Sequence, residues 1–360
     1  MILTRTPLRV SLFGGGTDYP SWFTEHGGAT LGMAINKYVY VGVKHMSPGQ
    51  LGWDGQPIRY RVQYSHVDDC CDPNDIKHPA VRAAIQHLEL DDLSLEFHIF
   101  SDLPGRSGLG GSSSCTVGIL HALDLLIVTD LHREYGGFRG INTATDRELA
   151  NYAIGLEQDV IGETVGCQDQ IFAALGGVRT LEFRTDESWE AAPLFLSHER
   201  QLELESSLLL VMTGIMRDAH EMAARQVTEQ RLNQGAVVAN VSCTPKFALH
   251  LMAQQAQQAT ALLSDEEQSL EQLGPLLHEA WMLKRGLADG VTLPEVDELY
   301  AHGLKCGATG GKLLGAGGGG FFLFFVPKKN QDTFRRRIGR PVTEIKIEHR
   351  GSHVLVNEEE

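Results

Sequence analysis

Leu103-Pro-Gly-Arg-Ser-Gly-Leu-Gly-Gly-Ser-Ser-Ser-Cys115 is the stretch that decides how this chain is read. Before it, Leu93-Ser-Leu-Glu-Phe-His-Ile99 alternates apolar and polar residues and predicts a half-buried strand. After it, Ser112–Val128 predicts a helix with its apolar side through Val117, Leu120, Leu123 and Ile127. The first N–H groups of a helix have no intrahelical partner and carry the positive end of its dipole. Glycines ahead of them let those donors wrap an anion without a Cβ in the way. Serines at the helix start add hydroxyls for phosphate oxygens or a Mg²⁺ ion. The physical reading is a phosphate cradle. A glycine turn with a serine N-cap has the same spelling in proteins that bind nothing, so the segment alone leaves both readings open.

Two sharper motifs fail on spelling. A nucleophile elbow needs G-x-S-x-G, and Gly110-Gly111-Ser112-Ser113 runs on into Ser114. A Walker loop needs GxxxxGK[ST], and Lys312 has Cys306 and Leu313 where the first glycine and the hydroxyl belong. Two further clusters, Gly14-Gly15-Gly16 and Gly310 to Gly320, stand among the 39 glycines. The run Gly315–Gly320 spells GxGxxG but precedes the predicted strand Phe321–Val326, so a tight turn is favoured over a dinucleotide site.

Strands are also predicted at Leu8–Phe13 and Lys37–Val43. Thr145-Asp-Arg-Glu148 fits a capping box, starting a helix whose apolar face runs through Leu149, Ala153, Leu156 and Val160. The region 216–305 reads as mostly helical, 187–206 as a linker and 327–340 as a surface loop. Strand–helix alternation gives way to helix near 185–205, which divides the chain into lobes 1–190 and 191–360.

A net charge of -15 argues against nucleic acid and anionic membrane as partners. The N-terminus reads as a strand rather than a targeting segment, and six scattered cysteines lack CxxC spacing. Cytoplasm is the expected compartment. His198-Glu199, His220-Glu221 and His278-Glu279 each lack the second histidine of HExxH, which excludes that zinc-hydrolase pattern. Taken singly, Asp169 reads as an N-cap, Glu157 as a solvated charge on the margin of its helix, and Asp18 as a turn residue.

Taken in order, the segments resemble the GHMP kinases, the family of galactokinase, homoserine, mevalonate and phosphomevalonate kinases. The resemblance rests on Pro7-Leu-Arg-Val-Ser-Leu-Phe-Gly-Gly-Gly-Thr-Asp-Tyr19, on Pro104-Gly-Arg-Ser-Gly-Leu-Gly-Gly-Ser-Ser113 and on Lys312-Leu-Leu-Gly-Ala-Gly-Gly-Gly-Gly320. Gly14-Gly-Gly-Thr-Asp18 with Gly166-Cys-Gln-Asp-Gln170 looks most like the branch acting on heptose phosphates, as does Thr213-Gly-Ile-Met-Arg-Asp-Ala219. The fold implied is α+β and two-lobed: an N-terminal lobe like ribosomal protein S5 domain 2, and a ferredoxin-like C-terminal lobe.

The activity implied is transfer of the ATP γ-phosphate to a sugar hydroxyl, with Mg²⁺. By resemblance Asp169 is the catalytic carboxylate and Arg9 its basic companion. Pro104, Gly105, Gly108, Leu109, Gly110, Gly111, Ser112, Ser113 and Ser114 form the ATP loop, with Gly111 in place of the family's first serine. Ser112 and Glu157 would hold the metal. Asp18, Thr17, Gly16, Gly177 and Arg217 fall on the substrate side, and Arg106 is a second candidate for a substrate phosphate. A non-catalytic sensor of the same fold and an ATP-dependent decarboxylase are the other classes; intact Asp169, Arg9, Glu157 and Ser112 count against the first, and Gly-Thr-Asp18 with Gln-Asp169-Gln favours a sugar over the second. Which sugar and which oligomeric state, a homodimer included, the sequence leaves open.

Overall fold

A computed structural model describes residues 1–105, 107–134, 143–215, 236–238 and 241–357. In chain order the elements are β1 (Ile2–Phe13), α1 (Pro20–His26), β2 (Gly28–His45), β3 (Tyr60–Gln63), β4 (Val67–Cys70), α2 (Pro79–His87), β5 (Leu95–Ser101) and α3 (Gly111–Glu134). Next come α4 (Asp146–Gly155), α5 (Gln168–Leu175), β6 (Val178–Phe183), β7 (Trp189–Pro193), α6 (His198–Ser207), β8 (Leu208–Met212), β9 (Ala236–Val238) and β10 (Val241–Cys243). The chain finishes with α7 (Pro245–Ser264), α8 (Leu273–Lys284), α9 (Pro294–Lys305), β11 (Gly310–Leu313), β12 (Phe321–Phe325), α10 (Gln331–Arg337), β13 (Val342–Glu344) and β14 (His353–Asn357).

Two sheets organise these elements into an α+β fold. The larger runs β14-β1-β2-β5-β3-β4, with β6 added to β2 and β7 to β6. The smaller is antiparallel, β11-β12-β8-β13. Pro7 has no N–H to give a central ladder, and the β1–β2 register jumps there: Pro7 faces Tyr38 while Leu8 faces Ile35. Beyond the jump, period-2 alternation sends Leu8, Val10 and Leu12 into the core and Arg9 and Ser11 to the opposite face. Helix α3 crosses β1 and β2 so closely that a Cβ on Gly118 would lie 2.9 Å from Thr6 Oγ1. By length and composition Gly111–Asp130 could cross a membrane, but 67% of that window is buried inside the protein. It is the core helix of the larger sheet.

Strand β12 links the two hydrophobic cores. Its alternate residues Phe322 and Phe324 enter a cluster with Trp281, Tyr300 and Phe334, while Phe321, Leu323 and Phe325 face the larger core. A run of aromatics buried on both faces reads as continuous rather than alternating, as in Phe-Phe-Leu-Phe-Phe.

Several expectations are corrected. The segment 187–206 holds β7 and most of α6, whose N-cap Ser197 accepts from the Arg200 N–H, so it is no linker. The segment 327–340 holds α10, anchored by buried Phe334 and Ile338. Within 216–305, where α7, α8 and α9 are helical as expected, Ala236–Val238 and Val241–Cys243 pair as antiparallel strands β9 and β10. The capping box at Thr145 is present, but the helical period breaks after Gly155: Leu156–Ile161 is a π-helical turn. The wider turn moves Val160 off the buried face, to 44% exposure, and brings Glu157 inside at 1%. Glu157 is therefore not a surface charge.

Candidate active site

The glycine loop ahead of α3 has a backbone that only glycine adopts without strain at two points, with φ +77° at Gly108 and +74° at Gly110. The first N–H to close the helical ladder is that of Ser114, onto the Gly110 carbonyl at 2.9 Å. The N–H groups of Gly111, Ser112 and Ser113 come before it, at the positive end of a 24-residue helix. These three residues line a cavity of about 700 Å³, large enough for a nucleotide and a sugar together.

Arg9, from β1, enters the cavity against the loop. Its Nε and Nη2 donate to the two carboxylate oxygens of Asp169 at 2.7 and 2.6 Å, and its Nη1 donates to the Gly108 carbonyl at 2.7 Å. Asp169 sits in the first turn of α5, where the dipole favours an anion; the N-cap itself is Cys167, which makes no side-chain cap. Gly110 leaves room for the pair, since a Cβ there would lie 3.3 Å from Asp169 Oδ2. Asp169 keeps 24% of its side chain exposed to the cavity, whereas Arg9 keeps 5%.

Behind the loop, Glu157 Oε2 accepts from Ser113 Oγ at 2.9 Å and from Gln170 Nε2. Its Oε1 is buried with no hydrogen-bond partner. Burial, only partly offset by the hydrogen bonds it accepts, raises its pKa to about 7. An unpaired carboxylate oxygen beside the Ser113 hydroxyl offers hard-oxygen donors of the kind Mg²⁺ takes. The serine bonded to Glu157 is Ser113; Ser112 lines the cavity wall.

Asp18 also lines the cavity, with Oδ1 accepting from the Gly16 N–H at 2.9 Å and Oδ2 from the Gln168 N–H at 3.3 Å. Burial, and then the charge of Asp169, pushes its carboxyl above the usual carboxylate range. Asp18 thereby ties the Gly14–Gly16 turn to the start of α5. Not every candidate faces the cavity. Thr17 Oγ1 donates to the Gly14 and Ala29 carbonyls, Ser114 Oγ donates to the Pro7 carbonyl, and Leu109 is fully buried. Gly177 joins backbone hydrogen bonds with Ala34 and Glu348, and Pro104 and Gly105 are exposed outside the cavity lining. Arg106 and Arg217 lie outside the described residues.

Sequence reasoning missed Lys284, from α8, and did not assign Lys312, from β11, to the site; both line the cavity and are almost fully buried. It also treated the Gly315–Gly320 turn separately from the cradle. The two are packed backbone to backbone: a Cβ on Gly108 would lie 2.6 Å from the Leu314 carbonyl oxygen, and one on Gly320 2.4 Å from that of Ser107. The Phe321 N–H donates to the Ser107 carbonyl at 3.1 Å.

An anion cradle beside an arginine-held carboxylate in one nucleotide-sized cleft defines a phosphotransferase whose acceptor is a hydroxyl. The family description "GHMP kinases N terminal domain" matches residues 76–177 and "GHMP kinases C terminal" matches 259–342, together just over half of the chain. The chain belongs to the GHMP kinases, and within them to the sugar kinases, with ATP as phosphate donor. A D-glycero-alpha-D-manno-heptose 7-phosphate kinase from Campylobacter jejuni is 28% identical over 90% of this chain and 89% of its own length. A bifunctional fucokinase/GDP-fucose pyrophosphorylase from Arabidopsis thaliana is 28% identical over 86% of this chain, which spans 28% of that protein. Among solved structures, a D-glycero-D-manno-heptose 1-phosphate kinase from Bacteroides thetaiotaomicron superposes over all of both chains, with TM-score 0.72 and 22% identity. A Lactococcus lactis galactokinase complexed with galactose gives TM-score 0.70 at 18% identity, covering 98% of this chain and 94% of its own. These two likenesses carry the two-lobed fold.

Proposed function

We propose that the enzyme phosphorylates the anomeric oxygen of D-glycero-D-manno-heptose 7-phosphate in nucleotide-activated heptose synthesis. The observation that carries this is the joining of Gly14–Asp18 to Gly166–Gln170 through Asp18: the two segments whose spelling resembles the heptose branch form one wall of the cavity. The match to the Campylobacter kinase over nearly its full length supports the same substrate.

In this reading the N–H groups of Gly111, Ser112 and Ser113 hold the ATP phosphates. Mg²⁺, when bound, would be held by Glu157 and the serine hydroxyls of 112 and 113, and would supply charge neutralisation to the nucleotide. Asp169 accepts a hydrogen bond from the sugar hydroxyl and aims it at the γ-phosphorus. Both its oxygens also accept from Arg9, which holds the carboxylate in place, and it takes the proton as the bond to phosphorus forms. Arg9 fixes that carboxylate and adds positive charge to the transfer zone. Asp18 sets the Gly14–Gly16 turn against which the sugar lies. The lobes are assigned to 1–190 and 191–360, with β14 returning to the first sheet, and the enzyme is placed in the cytoplasm.

The test is ATP consumption with Mg²⁺ over a panel of heptose 7-phosphate, heptose 1-phosphate, free heptose, fucose, galactose and mevalonate. Turnover on heptose 7-phosphate alone is expected. Turnover on another sugar of the panel in its place refutes the substrate assignment.

A further inference from the structure

We infer that Lys312, with Lys284 beside it, binds the phosphoryl group in transit between nucleotide and acceptor, making Lys312 a catalytic residue of the transfer. This rests on the cleft being the phosphotransfer site.

Both lysines line the cavity, Lys312 at 2% exposure and Lys284 at 6%. An ammonium has three donors. Lys284 Nζ donates to the Leu313 and Gly315 carbonyls at 2.7 and 2.5 Å. Lys312 Nζ donates to the Leu12 carbonyl at 3.0 Å, leaving two N–H groups for the cavity. Among the described residues neither ammonium is within ion-pair distance of a carboxylate. Asp169 is engaged by Arg9, and Asp18 by two backbone N–H groups.

The buried wall thus carries Arg9, Lys284 and Lys312 against Asp18 and Asp169, with Asp18 pushed toward its neutral form. Burying cations beside one another without an anion is strongly unfavourable. The strain shows in both groups: burial, then Arg9, lowers Lys312 to about 7, and burial, then Lys312, takes Lys284 well below its ordinary value. A dianionic phosphoryl group is the missing charge.

The anchors place that charge. Lys284 grips the Leu313–Gly315 turn that packs on Gly108 of the cradle. Lys312 grips β1 at Leu12, between Arg9 and the Gly14–Gly16 turn. The pair therefore lies between the nucleotide cradle and the acceptor wall, where charge builds as the γ-phosphoryl group moves. The alternative is that Lys312 is only a strut between β11 and β1.

The two are separated by titrating wild type and Lys312→Met with Mg²⁺ and either ADP or the β,γ-imido analogue of ATP, alongside steady-state turnover. The variant is expected to bind ADP within about threefold of wild type, to lose about tenfold or more in affinity for the analogue, and to lose about a hundredfold or more in kcat. Lys312→Arg, which restores the charge, is expected to recover analogue affinity. If Lys312→Met loses ADP and analogue affinity equally, or keeps both with kcat intact, the inference is overturned. It is overturned too if only the acceptor's affinity falls, since the bound phosphate is then the sugar's own. If the methionine variant does not fold, Lys312→Gln, which keeps an N–H for Leu12, carries the same comparison. A wild-type chain that binds neither nucleotide would refute the phosphotransfer reading itself.

Discussion

Replacing Glu157 with glutamine separates a buried metal ligand from a structural carboxyl through pH alone. The acid titrates near 7 in the folded chain against 4.5 when unperturbed. In the metal-free protein its folded pKa is raised, so between those values the folded state holds a proton that the unfolded state has released. Stability from this group therefore falls as pH rises. At pH 4 both states are protonated and nothing is lost. By pH 8 both are ionised and the full penalty is present, about 3 kcal/mol for a displacement of this size. Glu157 is 1% exposed, so solvent screening does not reduce that figure. Glutamine keeps an acceptor for Ser113 Oγ and Gln170 Nε2 but cannot ionise.

The assay is urea unfolding of wild type and Glu157→Gln in EDTA at half-unit steps from pH 4.5 to 8. Asp18, Lys284 and Lys312 also titrate abnormally, so the readout is the difference between the two proteins, from which their common terms cancel. The variant is expected to gain about 3 kcal/mol relative to wild type across that range. With saturating Mg²⁺ and ADP the order at pH 8 reverses, because the cation needs the ionised carboxylate. A difference that stays flat with pH refutes the buried, partnerless placement of Oε1. A slope that survives unchanged with Mg²⁺ and ADP refutes the metal assignment.

Asp169→Asn should leave the fold intact and reduce kcat by roughly 10²–10⁴, the range of a lost proton acceptor, with smaller changes in nucleotide affinity; a coupled ADP-release assay reading wild-type turnover would remove Asp169 from the reaction. Gly108→Ala puts a side chain at φ +77°, which costs about 1–2 kcal/mol, and drives its Cβ to 2.6 Å from a backbone oxygen. Thermal melting should show the loss of stability and calorimetry a loss of ATP affinity; an alanine variant with unchanged ATP binding would refute the cradle's geometry.

The parts of the site that sequence made legible are those fixed by local backbone. Glycines at 108 and 110 have to be glycine for conformational reasons, and the helix after them follows from its own apolar pattern. Glu157 was hidden because its placement depends on one π-helical turn: an ideal 3.6-residue period puts Val160 inside and Glu157 at the margin, and the wider turn exchanges them. Lys284 and Lys312 were hidden for another reason. Each sits among apolar neighbours on an element of the C-terminal half, and only tertiary packing turns them toward β1 and the cradle. Ser114 and Thr17 show the reverse error: they are spelled inside the motifs, but their hydroxyls bond to backbone carbonyls.

The Gly315–Gly320 turn is where local reading fell furthest short, and the failure explains why the three glycine clusters occur together. Read alone it is a turn feeding β12, and it is that: β11 and β12 pair through Leu313 and Phe322. Yet Gly320 needs its missing Cβ because of Ser107, some two hundred residues earlier, and Gly108 needs its own because of Leu314. The Arg9 guanidinium then joins β1 to the same loop through the Gly108 carbonyl, and the Lys284 ammonium joins α8 to it through Gly315. These two cationic anchors end on backbone carbonyls of the cradle and of its partner turn, leaving the N–H groups at the start of α3 for the nucleotide. A side chain at Gly108 or Gly320 would push the two loops apart and turn those donors away from the cleft. Each motif taken singly is weak, because each is only one face of a contact. Together they specify a single object, the cradle and the turn that backs it.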